Sequence, residues 1–164
     1  MEKIVQDAEV VKRTGDNGHP KYRIDEIPAS AIVIHCGDPR FQKAFHSFLT
    51  EELKLENYIP IVIGGGIHSF GSSTFLPKNF KVLWEQIKFF VKEKGVKRIV
   101  IINHADCQWY QKLQGFALKI PLAEKLRSDL KSAASIISED FLGVGVDTYY
   151  ADLKGKDIIF EEVK

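Results

Sequence analysis

The 164-residue chain is poor in cysteine, with two residues, and it contains one methionine. Two cysteines are too few for a disulfide framework, so we expect free thiols and a cytoplasmic protein. No apolar run approaches the roughly 20 residues that cross a membrane, and the polar start of the chain lacks the apolar core of a secretory signal. Lysine and arginine (23) nearly balance aspartate and glutamate (22), which argues against nucleic acid as a partner.

Apolar runs alternate with helical periodicities along residues 28–164, which we predict to form one α/β domain. Residues 1–27 lack a strand period and are predicted to form an N-terminal arm or a short helix. The predicted elements are a strand at 31–35, a helix near 41–53, a strand at 58–63, a helix from Pro77, a strand at 97–103, a helix at 121–137, and strands at 142–151 and 157–162.

The continuous apolar strands favour a doubly wound, mostly parallel central sheet of four strands, with helices on both faces. Only the short turn Lys154–Lys156 precedes the last predicted strand. A turn of that length cannot make a parallel crossover, so we expect this fifth strand to be antiparallel at the edge of the sheet.

Both cysteines lie in short polar motifs that directly follow predicted strands. The first motif is Cys-Gly-Asp-Pro-Arg at 36–40, after the apolar run 31–34, and the second is His-Ala-Asp-Cys at 104–107, after 98–102. The first and third strands of such a sheet can be neighbours, and ligands bind at their carboxyl ends. Catalytic zinc takes three protein ligands and keeps a position for water. The motifs therefore predict a zinc site built by Cys36, His104 and Cys107.

The first motif also contains an acid and a guanidinium two residues apart. Asp38 and Arg40 can form a charge-assisted pair that holds the carboxylate ionised and oriented. We predict that Asp38 accepts a hydrogen bond from metal-bound water, and we assign these two residues to catalysis.

With Cys-x-Asp-x-Arg followed by His-x-x-Cys, the chain resembles the β-class carbonic anhydrases over about residues 28–164. The resemblance implies a zinc lyase that hydrates carbon dioxide reversibly to bicarbonate and a proton through zinc-bound hydroxide. It also implies a homodimer or a dimer of dimers, with each active site near the subunit interface. In some members the residue matching Asp38 becomes a fourth zinc ligand, and the residue matching Arg40 draws it away in the active form.

Two departures from the family pattern concern the substrate pocket. Gly64-Gly65-Gly66 replaces the usual Asn-Ala-Gly run after the second strand, where Ile63 stands in place of arginine, and Gln108, followed by Trp109, replaces a glycine after the last cysteine. We assign Gly65 and Gly66 to the substrate pocket. Some relatives of this architecture hydrolyse carbonyl sulfide or carbon disulfide instead, and that activity is the alternative function.

Several non-catalytic interpretations remain open at this level. Either cysteine alone is as readily a buried core residue, Asp38 can close a structural zinc site permanently, and the two thiols can form a redox pair. The glycine run predicts a tight turn rather than a phosphate cradle, because it lacks the Lys-Ser/Thr ending of a P-loop. We expect His35 to fill a core or interface position, and His68 is a candidate proton shuttle.

Overall fold

The computed structural model describes residues 13–14, 19–21, 27–71, 77–114 and 120–164. The strands are β1 (Arg13–Thr14), β2 (Pro20–Lys21), β3 (Ala31–His35), β4 (Tyr58–Val62), β5 (Arg98–His104), β6 (Gly145–Lys154) and β7 (Asp157–Glu162). The α-helices are α1 (Gln42–Ser47), α2 (His68–Gly71), α3 (Pro77–Lys94), α4 (Gln108–Gln114) and α5 (Leu122–Asp140), and α1 continues into a π-helical segment, Phe48–Glu52.

Five strands form the central sheet in the order β4-β3-β5-β6-β7. The pairs β3–β4, β3–β5 and β5–β6 are parallel, whereas β6–β7 is antiparallel. The predicted doubly wound sheet with an antiparallel edge strand is confirmed. Because the chain passes from β3 to β4 on one side and then returns to β5 on the other, the strand order reverses between β3 and β5. That reversal opens a crevice at their carboxyl ends.

The core has two halves because neighbouring residues of a strand point to opposite faces of the sheet. Ile32 and Ile34 of β3 pack with apolar residues of α3 and α5. Ala31 and Val33 pack on the other face, with Phe45 of α1 and its neighbours. Helices therefore cover both faces of the sheet, as predicted, and all five residues of β3 are buried.

The long helices α3 and α5 agree with their predicted positions. Pro77 opens α3, as a proline in the first helical turn is able to do, and Gly95 follows its end with φ +67. Within the described residues, no helix combines the length and the apolar character that crossing a membrane demands.

Strand β6 begins at Gly145, three residues later than the predicted 142. The chain first makes a turn after α5, in which Phe141 is buried and Leu142 is 91% exposed. Gly143 takes the left-handed conformation, φ +82, that this turn requires. The predicted start of the strand at 142 is therefore wrong, because Leu142 is apolar but lies in this turn.

Helix α4 has no counterpart among the predicted elements. It spans Gln108–Gln114 and follows the second motif without a break. Its seven residues include three apolar ones, Trp109, Tyr110 and Leu113, but the helix is shorter than the roughly 11 to 18 residues over which helical periodicity is read.

The described part of the predicted arm is a short antiparallel pair of β1 and β2, in which Arg13 lies opposite Lys21 and Thr14 opposite Pro20. Residues 1–12, 15–18 and 22–26 lie outside the described residues. The division into an arm at 1–27 and a domain at 28–164 stays a prediction.

Candidate metal centre

Three potential metal ligands meet in the crevice between β3 and β5. A donor atom from each of Cys36, His104 and Cys107 lies within 4.8 Å of the other two. The Sγ atoms of the two cysteines are 3.9 Å apart, and all three residues are buried. The structure therefore brings together the three residues that the two motifs predict as zinc ligands.

The register of the strands explains why the three side chains converge. In β3 and β5, His35 lies opposite Ile102, so the first motif begins beside the last residues of β5. The Ala105–Asp106 turn then redirects the chain after His104, with Asp106 at φ +56. This left-handed residue reverses the backbone and returns Cys107 to the cluster.

His35 immediately precedes a ligand candidate but lies on the opposite face of the sheet. Its ring is 5.0 Å from the ring of Phe45, and its Nδ1 is 2.9 Å from the carbonyl oxygen of Cys36. Burial lowers the pKa of His35. His35 thus occupies the core position that strand alternation predicts.

The His104 ring is oriented by two contacts. Its centroid is 4.2 Å from the centroid of Phe41, and Nδ1 is 2.8 Å from the carbonyl oxygen of Ala105. Because a carbonyl only accepts, Nδ1 carries the hydrogen and Nε2 has a free lone pair. Nε2 is buried and has no hydrogen-bond partner within the described part of the chain. An unpaired buried nitrogen beside two thiols fits zinc, which binds sulfur and imidazole nitrogen.

The two thiols share one hydrogen bond and differ in acidity. The contact with Cys107 lowers the pKa of Cys36 to about 4 against the opposing effect of burial, and the amide of Gly65, whose nitrogen is 3.4 Å from the sulfur, lowers it further. The same contact, together with burial, raises the pKa of Cys107. The backbone N–H groups of Tyr110 and Trp109 have the opposite, smaller effect on this pKa. The site thus readily supplies one thiolate, and a bound metal would favour the second.

Asp38 and Arg40 form the predicted pair at the rim of the cluster. Arg40 donates from Nη2 to Oδ2 of Asp38 at 2.7 Å and from Nε to Oδ1 at 3.1 Å. The backbone N–H of Arg40 donates to Oδ1 at 3.0 Å. These hydrogen bonds lower the pKa of Asp38. The carboxylate is ionised, is directed to Arg40 and does not belong to the three-residue cluster.

Asp106 is a second carboxylate on Arg40 that is not among the residues predicted from the sequence. Nη1 of Arg40 donates to Oδ2 of Asp106 at 3.0 Å, and Nε2 of Gln111 donates to Oδ1 of Asp106 at 2.5 Å. The guanidinium thus joins two loops that are 66 positions apart in sequence. An acid between two ligands in His-x-Asp-Cys was the available signal, but its partner depends on tertiary structure.

A cavity of about 540 Å³ opens over the cluster. It is lined by Cys36, Gly37, Asp38, Pro39, Arg40, Gly64, Cys107, Gln108 and Trp109. Gly64, rather than Gly65 or Gly66, therefore reaches this cavity. Gly65 and Gly66 are buried in the turn beneath it, where the Gly65 amide faces the Cys36 sulfur.

The glycine turn lies against Trp109. Gly65 has φ +74, and a Cβ added there would overlap the indole ring. Trp109 also lines a second cavity of about 280 Å³, which His68 and Ser69 border. The His68 ring is 4.7 Å from the ring of Tyr110, edge to face, so the candidate proton shuttle borders the second cavity and not the one over the cluster.

Comparison with known proteins gives one family and one fold. The model of the family described as "Putative carbonic anhydrase" matches residues 28–160. The structure is similar to the carbonic anhydrase of Streptococcus mutans, with a TM-score of 0.53 at 13% identity, covering 90% of each chain. It is also similar to the carbonic anhydrase of Glaciozyma antarctica, with a TM-score of 0.52 at 12% identity, covering 92% of this chain and 89% of that one.

A third similar structure is the β-carbonic anhydrase isoform I of Trichomonas vaginalis, with a TM-score of 0.52 at 13% identity, covering 85% of this chain and 86% of that one. At these identities the likeness is one of fold. No curated protein matches the sequence.

Proposed function

Because this chain belongs to the β-class carbonic anhydrase family, we propose that it binds zinc and catalyses the reversible hydration of carbon dioxide to bicarbonate and a proton. Cys36, His104 and Cys107 would hold the metal. One observation carries the proposal, namely the convergence of two thiols and a buried imidazole whose Nε2 has no hydrogen-bond partner among the described residues. Such a donor set, open to a cavity, suits a zinc site that keeps a position for water.

Bound zinc supplies a nucleophile at neutral pH, since it lowers the pKa of a coordinated water to about 7. The protein supplies the surroundings. Asp38, which is ionised and borders the cavity, accepts a hydrogen bond from a proton donor beside the metal. Arg40 orients that carboxylate through both of its oxygens. The amide of Gly65 donates to Cys36 and fixes that ligand.

The cavity over the cluster is the proposed substrate site. Asp38, Gly64 and Trp109 line it together with the two thiols. Carbon dioxide is small and has no charge, so its binding requires open access to the metal rather than charged binding residues. Gly64 lines this cavity, Gly66 lines the second cavity, and Gly65 presents its amide to a ligand sulfur.

The non-catalytic alternative has less support. A permanently closed zinc site would use Asp38 as the fourth ligand, yet Arg40 engages both oxygens of that carboxylate. Hydrolysis of carbonyl sulfide or carbon disulfide uses the same metal and the same carboxylate. We therefore treat it as a competing outcome of the experiment below.

Assembly and location belong to the same proposal. We expect a homodimer or a dimer of dimers, as the family resemblance implies. We expect a cytoplasmic protein because Cys36 and Cys107 are free cysteines, and both must stay reduced to bind zinc.

The decisive experiment measures zinc content and then carbon dioxide hydration by stopped flow, from about pH 6.5 to 9, a range that brackets the pKa of about 7 of zinc-bound water. We expect one zinc per chain and hydration whose rate rises with pH. One zinc per chain without hydration at any pH would refute the anhydrase, and a gas-consumption assay would then test the sulfur substrates. Protein purified without chelator and free of zinc would refute the metal centre itself.

A further inference from the structure

Beneath the metal centre lies a buried polar network that the proposed reaction does not use. Asp129 of α5 is 2% exposed. It forms an ion pair with Lys125 and accepts a hydrogen bond from the hydroxyl of Tyr110, with 3.0 Å between Oη and Oδ2. Asn103 donates from Nδ2 to the carbonyl oxygen of Leu126 at 3.0 Å and lies 3.5 Å from the Tyr110 hydroxyl.

A charge in this position is costly, so its surroundings are informative. Removing a carboxylate from water carries a penalty of several kcal/mol that only close partners offset. The approach of Asp129 also requires Gly71, because a Cβ there would overlap the carboxylate. Two elements, α2 and α5, are therefore shaped around one hydrogen-bonded carboxylate whose acceptor atom faces Tyr110.

Tyr110 connects this network to the metal ligands. It lies three residues after Cys107, in the first turn of α4. The next residue, Gln111, donates from its backbone N–H to the carbonyl oxygen of Cys107 at 3.0 Å, and the backbone N–H groups of Tyr110 and Trp109 lower the pKa of the Cys107 thiol. Asn103, the other neighbour of the Tyr110 hydroxyl, directly precedes His104 in β5. The hydroxyl of Tyr110 is therefore contacted by the residue that directly precedes His104, and Tyr110 itself lies in the helical turn that follows Cys107.

Helix α4 depends on Tyr110 for its position. It is seven residues long, and a helix this short has little stability of its own. From Gln108 to Lys112, Tyr110 is the one buried residue, and it is 1% exposed. Among residues 108–112, Tyr110 is thus the side chain that anchors α4 in the core, through its burial and its hydrogen bond to α5.

We propose that Tyr110 and Asp129 are positioning residues for the metal centre, which hold the amide donors of α4 against the Cys107 ligand. The inference rests on the proposed zinc site but not on the identity of the substrate. Loss of such outer contacts typically weakens metal binding by about 10- to 100-fold.

The test compares Tyr110→Phe with Tyr149→Phe. Both substitutions remove one hydroxyl, but Tyr149 packs on Phe48, on the face of the sheet away from the network. Zinc release to a chromogenic chelator is timed below the unfolding temperature of each variant. Cobalt-substituted protein is examined for the thiolate-to-cobalt charge-transfer band, which reports the ligand sphere and not the global stability.

We expect Tyr110→Phe to release zinc about 10-fold faster than the wild type or more, and to shift the charge-transfer band, with neither change in Tyr149→Phe. Asp129→Asn should act in the same direction. Should it fail to fold, Tyr110→Phe decides alone, because it removes a single oxygen atom.

Equal zinc release and identical cobalt spectra in Tyr110→Phe and wild type would overturn the inference. So would a wild-type chain that binds no zinc, which would also refute the proposed metal centre. A wild type that binds zinc but does not hydrate carbon dioxide would refute the proposed reaction alone, and the zinc-release comparison would still decide the positioning role.

Discussion

The two loops that hold the candidate ligands are built differently. The first loop, residues 36–40, is secured at the rim by Arg40, which is 46% exposed and shared between Asp38 and Asp106. The second loop, residues 104–107, is secured by buried contacts, namely the ring of Phe41 on His104 and the Tyr110–Asp129 hydrogen bond. The difference indicates a division of work, in which buried contacts hold the metal and exposed charges serve the reaction.

The buried part of this comparison, metal retention, is tested most severely by His104→Ala. We expect zinc to fall below about a tenth of one equivalent and hydration to fall by about 10³-fold or more, since one of three ligands is lost. Metal analysis and stopped flow measure the two effects. The control is His46→Ala, at an exposed histidine of α1, which should keep both. A full zinc equivalent in His104→Ala would contradict the proposed ligand set.

The role of the charged residues at the rim is tested by Asp38→Asn. We expect zinc to stay bound while hydration falls by about 10²- to 10⁴-fold, as for the loss of a positioned proton acceptor. A matched control is Asp147→Asn, because Asp147 pairs with Arg98 at 2.8 Å, at the start of β5 and away from the site. If Asp38→Asn lost its zinc as well, the division between metal retention and reaction would be wrong.

The contact of the Gly65 amide with the Cys36 sulfur is tested by Gly65→Ala. The new methyl would overlap Trp109 in a left-handed backbone with φ +74, so we expect a loss of about 3 kcal/mol in the free energy of unfolding, with weaker zinc binding. Gly95→Ala is the control, since Gly95 has φ +67 and no atom within 4 Å of an added Cβ. It should cost about 1 kcal/mol. Equal losses in denaturant unfolding would show that Trp109 does not constrain the turn.

The smallest expected effect is that of Asp106→Asn. An exposed ion pair contributes little, so we expect hydration to fall by about twofold to fivefold with zinc unchanged. Asp152→Asn, which removes the surface partner of Lys154, is the comparison and should have no effect on the rate. A loss as large as that of Asp38→Asn would place Asp106 in the reaction itself.

Much of the fold is predictable because local patterns determine it. The runs at 31–35 and 98–102 are continuous and apolar, and such runs form buried strands. Pro77 and Gly95 delimit α3 for reasons that lie in their own backbone preferences. Helix α4 has no predicted counterpart because its seven residues are shorter than the window over which helical periodicity is read.

Local sequence patterns are enough to predict the strands of the sheet, the antiparallel edge strand and the three candidate metal ligands. Apolar runs indicate the strands. Thiols and imidazoles are the side-chain groups that zinc binds most often, so their residue types alone point to a metal site. Only the tertiary structure decided that β3 and β5 are neighbours, which brings Sγ of Cys36 to 3.9 Å from Sγ of Cys107. It also decided that Arg40 binds Asp106 and that Tyr110 reaches Asp129. These contacts join residues 19 to 71 positions apart, and chain spacing cannot specify them, because they depend on how strands order and helices pack.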